Sequence, residues 1–367
     1  MQSSGSRISR RALLTGGAVV VAGVGAGAWH RLKASSYAAE LAAPASPPQE
    51  VGRVGNMPYR RFGNTGLKVS ETGFGAWALG GKAYGAVDRQ QALDALARAE
   101  ELGCNFVDTA AVYGDSEQVL GQFLQGRRDK WLIATKYSAQ PAGMRATVEE
   151  QLRRLGTDVI DFYQLHWDST DQRLYDDLYA LKKAGKVRFV GVSLTSPRSI
   201  DYVLDHQMID GVQLPLSLLD PEPFLSRARR LAAAGLAVVI RSSLKEGFLT
   251  GKYGRDATFP DPNDQRHEWS REQIASTVDH VDAMRFLQAD AGSLLRAAVA
   301  YPLSFPQVST VLLGTKSVRE ADSNFGQLPG ARLTTIDIER VHAIQARLDL
   351  GGLNRPKTLI RRLLGRY

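Results

Sequence analysis

Residues 105–117 read NFVDTAAVYGDSE. A short apolar run ends at Asp108, a loop carries Tyr113 and Gly114, and a helical stretch opens near Glu117. The same punctuation recurs twice. Lys136 closes the apolar run WLIATK (131–136), and His166 closes VIDFYQLH (159–166). Each time an ionisable side chain sits where a strand should stop. In a barrel of eight parallel strands, the C-terminal strand edge is where functional side chains converge.

Working outward, apolar β-like runs alternate with amphipathic helical stretches from about residue 57 onward, the pattern of βα units on a parallel sheet. The expected strands are 69–75, 105–108, 131–136, 159–166, 187–193, 211–214, 237–243 and 309–314. Helical periodicity covers 90–101, 117–124, 144–155, 175–184 and 223–234 between them, and 336–348 after the last. Eight such units point to the α/β class and a single-domain closed (β/α)8 TIM barrel over residues 57–346; an open doubly wound sheet is the alternative. Residues 245–276 form a polar, Gly- and Pro-containing segment far longer than an ordinary connection, read as a cofactor or substrate flap or as a passive insertion. Residues 347–367 read as a basic C-terminal tail.

The 367 residues are 44% hydrophobic and 23% charged, so a large core is affordable and wholesale disorder is excluded. The net charge of +8 gathers largely outside the barrel, in Arg7, Arg10, Arg11, Arg31 and Lys33 before it and in Arg355, Lys357, Arg361, Arg362 and Arg366 after it. No basic stripe interleaved with aromatics marks a nucleic-acid partner. Cys104 is the one cysteine, which excludes an internal disulfide and cysteine-cluster metal sites. No metal site is expected.

The N-terminus reads as an address. Arg10 and Arg11 precede an uncharged stretch from Ala12 to Ala28, rich in Ala, Gly and Val. That is the pattern of a bacterial twin-arginine signal peptide, assigned to residues 1–29, with cleavage after Ala28 or Ala45. An uncleaved anchor giving membrane contact is the alternative. Residues 30–56 read as an Ala/Pro/Ser-rich linker. The expected partner is the twin-arginine export machinery, and the expected location is the periplasm or envelope. The run GAVVVAGVGAG (17–27) imitates a dinucleotide loop, but no helix and acidic strand end follow it, so a Rossmann reading fails.

Four stretches carry a family resemblance: PYRRFGNTGLKVSETGFGAWALGG (58–81), FVDTAAVYGDSEQVLG (106–121), GKVRFVGVS (185–193) and EGFLTGKYG (246–254). Through them the chain resembles the aldo-keto reductase family over residues 57–346, in the branch that includes aldose dehydrogenases and potassium-channel β-subunits. The resemblance implies an NAD(P)-dependent oxidoreductase that interconverts an aldehyde, ketone or sugar carbonyl and its alcohol. It implies Tyr113 as general acid, Lys136 lowering the tyrosine pKa, Asp108 holding Lys136, and His166 orienting the substrate oxygen. For the cofactor it implies Gly75, Ala76 and Trp77 near the nicotinamide, and Ser193 and Gln213 on its carboxamide. Ser243, Leu244, Gly247 and Leu249 would line the pyrophosphate. Gly314, Thr315, Lys316, Ser317 and Asn324 would hold the adenine end.

Three positions depart from the family pattern. Leu194 stands where an Asn usually follows the clamp serine, and Ser243 replaces a Pro. Glu320 stands where many members carry Arg or Gln, and an acid there repels a 2′-phosphate, with Lys316 and Arg319 to offset it. The expected cofactor is NADP(H) in preference to NAD(H). The alternative function is a non-catalytic nicotinamide-binding sensor or interaction module on the same barrel. Trp77 and Trp167 suggest an apolar wall for an aldehyde or sugar face.

Overall fold

The computed structural model describes residues 50–350 apart from 82, 83, 86 and 349. Three antiparallel strands come first: β1 (Glu50–Val54), β2 (Met57–Arg61) and β3 (Lys68–Ser70). Eight parallel strands follow: β4 (Thr72–Gly75), β5 (Phe106–Asp108), β6 (Leu132–Tyr137), β7 (Ile160–Leu165), β8 (Val187–Ser193), β9 (Gly211–Pro215), β10 (Ala237–Arg241) and β11 (Thr310–Gly314). They close in sequence order, β11 pairing with β4, into the expected single-domain (β/α)8 barrel.

Side-chain alternation divides each barrel strand between two cores. Val107, Ile133, Tyr163, Val190, Val212, Val238 and Val311 join the large hydrophobic layer shared with the helices. Phe106, Ala134, Phe162, Ala237, Val239 and Leu312 fill the barrel itself. Phe62, just after β2, and Val69 of β3 join this inner cluster. The N-terminal antiparallel sheet therefore plugs the floor of the barrel. The ring of Phe162 fits only because position 191 is glycine: a Cβ there would lie 2.3 Å from the Phe162 ring.

Two expectations need correction. The run 69–75 is not one strand: residues 69 and 70 pair with β2, and the barrel strand starts at Thr72. The break falls at Glu71, whose buried carboxylate turns to Arg60 at 3.2 Å and to Arg332 at 2.6 Å. The last residues of the expected linker also form strand, because β1 pairs with β2.

The helices expected over 90–101, 117–124, 144–155 and 175–184 appear as Arg89–Glu101, Ser116–Phe123, Gly143–Leu155 and Gln172–Lys183. Helix is confined to Ala228–Ala234 in the 223–234 stretch, behind a 3₁₀ turn at Leu225–Arg227. Pro197–His206 and Leu294–Leu303 are helices that the periodicity did not single out. Helix Thr335–Arg347 closes the described chain.

Among the described residues no helix is long and apolar enough to cross a membrane. The stretch expected as a signal peptide (1–29), residues 30–49 of the expected linker and residues 351–367 of the expected tail lie outside the described residues.

Candidate active site

The alternation that sends Phe106, Ala134, Phe162 and Val239 into the barrel sends Asp108, Lys136, Gln164 and Arg241 inward two residues later. Ser193 and Gln213 join them through register, Ser193 opposite Gln213 and Gln213 opposite Val239. Each of these strands thus carries an apolar residue at the floor and a polar one at the mouth.

Lys136 is fully buried. Its Nζ donates to Asp108 Oδ1 at 2.5 Å and to the Thr109 carbonyl at 2.7 Å. The other Asp108 oxygen accepts from Gln164 at 3.1 Å and Gln213 at 2.8 Å. A buried carboxylate with three side-chain donors is held in one place. Burial pulls the Lys136 ammonium down from its ordinary pKa, and Asp108 opposes that pull.

Tyr113 lies in the loop between β5 and helix Ser116–Phe123. Gly80 and Gly114 set the position of this loop. A Cβ at Gly80 would lie 1.8 Å from the Tyr113 carbonyl, and one at Gly114 would lie 2.2 Å from the Gly80 carbonyl. Ser116 ties the loop down from below, donating to the Ala76 carbonyl at 2.9 Å and bonding Thr109 Oγ1 at 2.8 Å. The buried Glu117 accepts from Thr135 at 2.8 Å, one residue before Lys136. Thr109, Gly114, Ser116 and Glu117 of the DTAAVYGDSE run, with Gly80, thus fasten the loop that carries its tyrosine.

The Tyr113 hydroxyl lies 3.3 Å from Nε2 of His166. Lys136 Nζ stands 5.1 Å from the centre of the Tyr113 ring. Desolvation pushes the phenol well above its ordinary pKa, Asp108 adds to the rise, and Arg241 opposes it. Desolvation thus outweighs the lowering expected from Lys136, which is not among the groups that shift the phenol. His166 bonds Ser138 Oγ through Nδ1 at 2.8 Å. Burial, with the charges of Lys136 and Arg241, holds its imidazole well below the usual range and so neutral.

The residues expected at the cofactor also lie at the C-terminal strand ends. Gly75, Ala76 and Trp77 follow β4, with the Trp77 ring 5.9 Å from that of Tyr113. Ser193 ends β8 and Gln213 lies in β9. Ser243, Leu244, Gly247 and Leu249 follow β10 in a tightly turned segment, where Ser242, Lys245 and Glu246 all take positive φ. Gly314 ends β11, and Thr315, Lys316 and Ser317 follow it. Asn324 Nδ2 reaches back to Thr315 Oγ1 at 2.9 Å. Leu194 is fully buried in the hydrophobic layer. Glu320 Oε2 accepts from the backbone N–H of Lys316 at 2.8 Å, while the Lys316 ammonium donates to the Tyr84 carbonyl at 3.3 Å.

The long segment after β10 is organised by aromatic rings. Phe248 stacks on Trp269 with centroids 5.2 Å apart, and the Arg266 guanidinium lies 4.1 Å over Phe259. The segment reaches the loop after β4. Tyr84 bridges to Asp264, accepts at its hydroxyl from Gln265 at 2.7 Å, and lies under Arg266. The segment expected to run to residue 276 gives way to helix Arg271–Asp282, where Ser270 and Gln273 form a capping box.

Sequence reasoning missed Gln164, Ser138, Glu117 and Arg241. Gln164 and Arg241 were readable in principle, each two residues beyond an inward apolar residue of its own strand.

The chain matches the model of the "Aldo/keto reductase family" over residues 71–346. It is 27% identical over 313 residues to aldo-keto reductase YhdN of Bacillus subtilis (strain 168), covering 78% of this chain and 93% of that protein. It is 29% identical over 321 residues to L-galactose dehydrogenase of Arabidopsis thaliana, covering 80% and 95%. The solved glycerol dehydrogenase AKR11B4 from Gluconobacter oxydans superposes with a TM-score of 0.68 at 26% identity, covering 83% of this chain and all of that one. The chain belongs to the aldo/keto reductase family and is an oxidoreductase of that family.

Proposed function

We propose that this aldo/keto reductase interconverts the carbonyl of an aldehyde, ketone or sugar with its alcohol, using Tyr113 as general acid and base. The observation that carries the reading is the meeting of Tyr113, His166 and the Lys136–Asp108 pair at one strand edge. The aromatic rings of Trp77 and Trp167 at this edge suit the apolar face of a sugar or small aldehyde. Relatives named for L-galactose and for glycerol support a polyhydroxylated substrate.

The residues fit a nicotinamide dinucleotide. Ser243 Oγ and Gln164 Oε1 are buried polar atoms without partners among the described residues, and both lie at the strand edge where the dinucleotide is expected. Ser193 and Gln213 would hold the carboxamide, Ser243, Leu244, Gly247 and Leu249 the pyrophosphate, and Gly314 to Ser317 with Asn324 the adenine end. When bound, the reduced nicotinamide supplies a hydride.

The chain's own residues handle the proton. Tyr113 remains protonated at neutral pH and gives its hydroxyl proton to the carbonyl oxygen. With Ser138 donating to Nδ1, His166 carries its proton on Nε2 and donates to the same oxygen. Two aimed donors stabilise the developing alkoxide. Lys136 supports the phenolate left behind, and Asp108, Gln164 and Gln213 fix Lys136. The preference for NADP(H) rests on Lys316 and Arg319; Glu320 works against it.

The Arg10-Arg11 pair supports export of the folded protein through the twin-arginine machinery to the periplasm or envelope, with the dinucleotide already seated. Two measurements test the function. Purified protein should bind NAD(P)H and turn over a panel of sugars and aldehydes. Protein that binds dinucleotide but reduces none of them, and oxidises none of the matching alcohols, would defeat the catalytic reading. Replacing Arg10 and Arg11 by Lys should hold the protein in the cytoplasm; unchanged export would defeat the signal assignment.

A further inference from the structure

Two glutamines at the mouth of the barrel are oriented by one carboxylate. Asp108 Oδ2 accepts from Nε2 of Gln164 at 3.1 Å and from Nε2 of Gln213 at 2.8 Å. A carboxylate accepts and does not donate, so each amide must turn its NH2 group to Asp108 and its carbonyl oxygen away. Both nitrogens reach the same oxygen, so the two side chains lie side by side. Gln164 of β7 pairs with Gly191 of β8, two residues before Ser193, and Ser193 stands opposite Gln213 of β9. Gln164, Ser193 and Gln213 thus come from three adjoining strands.

One acceptor of this group is left over. Oε1 of Gln164 is buried and accepts no hydrogen bond among the described residues. A buried acceptor without a donor is costly, and native proteins rarely leave one. Leu194 stands where an Asn usually follows Ser193, and its side chain is fully buried in the hydrophobic layer. No amide therefore comes from that position. A carboxamide carries two N–H donors and one carbonyl acceptor. The Ser193 hydroxyl can donate to that carbonyl, while the amide oxygens of Gln213 and Gln164 accept the two N–H groups. The hydrogen-bond account then closes.

We propose that Gln164 is a cofactor-binding residue whose Oε1 accepts one N–H of the nicotinamide carboxamide, replacing the amide that Leu194 lacks. This rests on the dinucleotide reading above. Asp108 then has a second task beside holding Lys136: by orienting both glutamines it makes the clamp select a group that donates twice.

Calorimetric titration of full-length protein tests this with three ligands. They are NAD+ or NADP+, whichever binds better, its 3-acetylpyridine analogue, in which methyl replaces the NH2, and its nicotinic-acid analogue, which brings a carboxylate. Each N–H···O bond to a buried acceptor is worth roughly tenfold in Kd, so wild type should bind the carboxamide about a hundredfold tighter than the acetylpyridine analogue. The nicotinic-acid analogue should bind weakest, because its carboxylate meets two carbonyl oxygens. Gln164→Met also takes a donor from Asp108, which weakens both of the first two ligands alike and cancels in their ratio. That ratio should fall to about tenfold, set by Gln213 alone. An unchanged ratio, with both ligands losing affinity together, overturns the proposal and confines Gln164 to the support of Asp108. Should Gln164→Met fail to fold, wild type still decides: equal affinity for the carboxamide and either analogue overturns the two-acceptor clamp and leaves the carbonyl-reductase reading standing. Binding of none of the three defeats the dinucleotide reading and this proposal with it.

Discussion

The Tyr113 hydroxyl is 3.3 Å from His166 Nε2, whereas Lys136 reaches the tyrosine only through its ring, with Nζ 5.1 Å from the centroid. The histidine is thus the direct neighbour of the tyrosine hydroxyl, while the lysine faces the tyrosine ring. Tyr113→Phe removes the transferable proton and keeps the ring. Carbonyl reduction should fall by about a hundredfold or more, with dinucleotide Kd within about twofold of wild type. Rapid-mixing single-turnover kinetics and cofactor fluorescence check both halves, and a variant retaining most of its rate would remove Tyr113 from the chemistry.

The two directions of reaction should differ in pH dependence. Burial raises Tyr113 and lowers His166, so over about pH 6 to about pH 9 the tyrosine stays protonated and the histidine neutral. With Tyr113 as the proposed proton donor, reduction should stay flat across that window, falling only as pH rises through the raised tyrosine pKa. Oxidation needs the phenolate and should climb with pH toward that same pKa. A limb near pH 6.5 in the reductive profile would mean that His166 titrates in the working range, contrary to its surroundings.

Asp108 should be as much a structural as a functional residue. It accepts from Lys136, Gln164 and Gln213. Asp108→Asn leaves the buried ammonium without its counter-charge and turns an amide toward donors. Chemical denaturation should register a loss of about 3 kcal/mol, the usual scale for breaking a buried pair. A loss below about 1 kcal/mol would indicate that water or a rearranged amide replaces the carboxylate.

The contact of Tyr84 with the segment after β10 should slow cofactor release. The ring and hydroxyl of Tyr84 engage Arg266 and Gln265 of the segment after β10. Losing one hydrogen bond and one cation–π contact is worth about 1–2 kcal/mol. Tyr84→Ala should therefore release NAD(P)H about tenfold faster in stopped-flow displacement, with the chemical step in single turnover little changed. An unchanged release rate would make the segment a passive insertion.

Glu320 holds the backbone N–H of Lys316 with its carboxylate. Glu320→Gln keeps a hydrogen-bonding oxygen and removes the charge. The ratio of NADP(H) to NAD(H) affinity should rise by about threefold to tenfold, because one unit of repulsion near a 2′-phosphate is lost. Titration calorimetry with both dinucleotides decides it, and a constant ratio would place the 2′-phosphate away from Glu320.

Much of the fold was legible because the barrel is written in local signals. Each strand is a short apolar run with a turn beside it, and each long helix has its own period. The failures are informative. Glu71 split an apparently continuous strand because its carboxylate is needed by Arg60 and Arg332, which lie far away in sequence. Strand β1 was hidden because its residues are mostly exposed, without an apolar alternation to mark them.

The sequence by itself determined the barrel, the family and the four ionisable side chains at its rim, because strand-end position and motif order are properties of the chain read in line. The tertiary structure alone decided which of those groups touch and which others join them. Gln164 and Gln213 meet Asp108 from positions 56 and 105 residues away, and Arg241 enters the same mouth from the far side of the barrel. The charge state of each group depends on burial and on neighbours of this kind, and only closure of the sheet brings them within reach of one another.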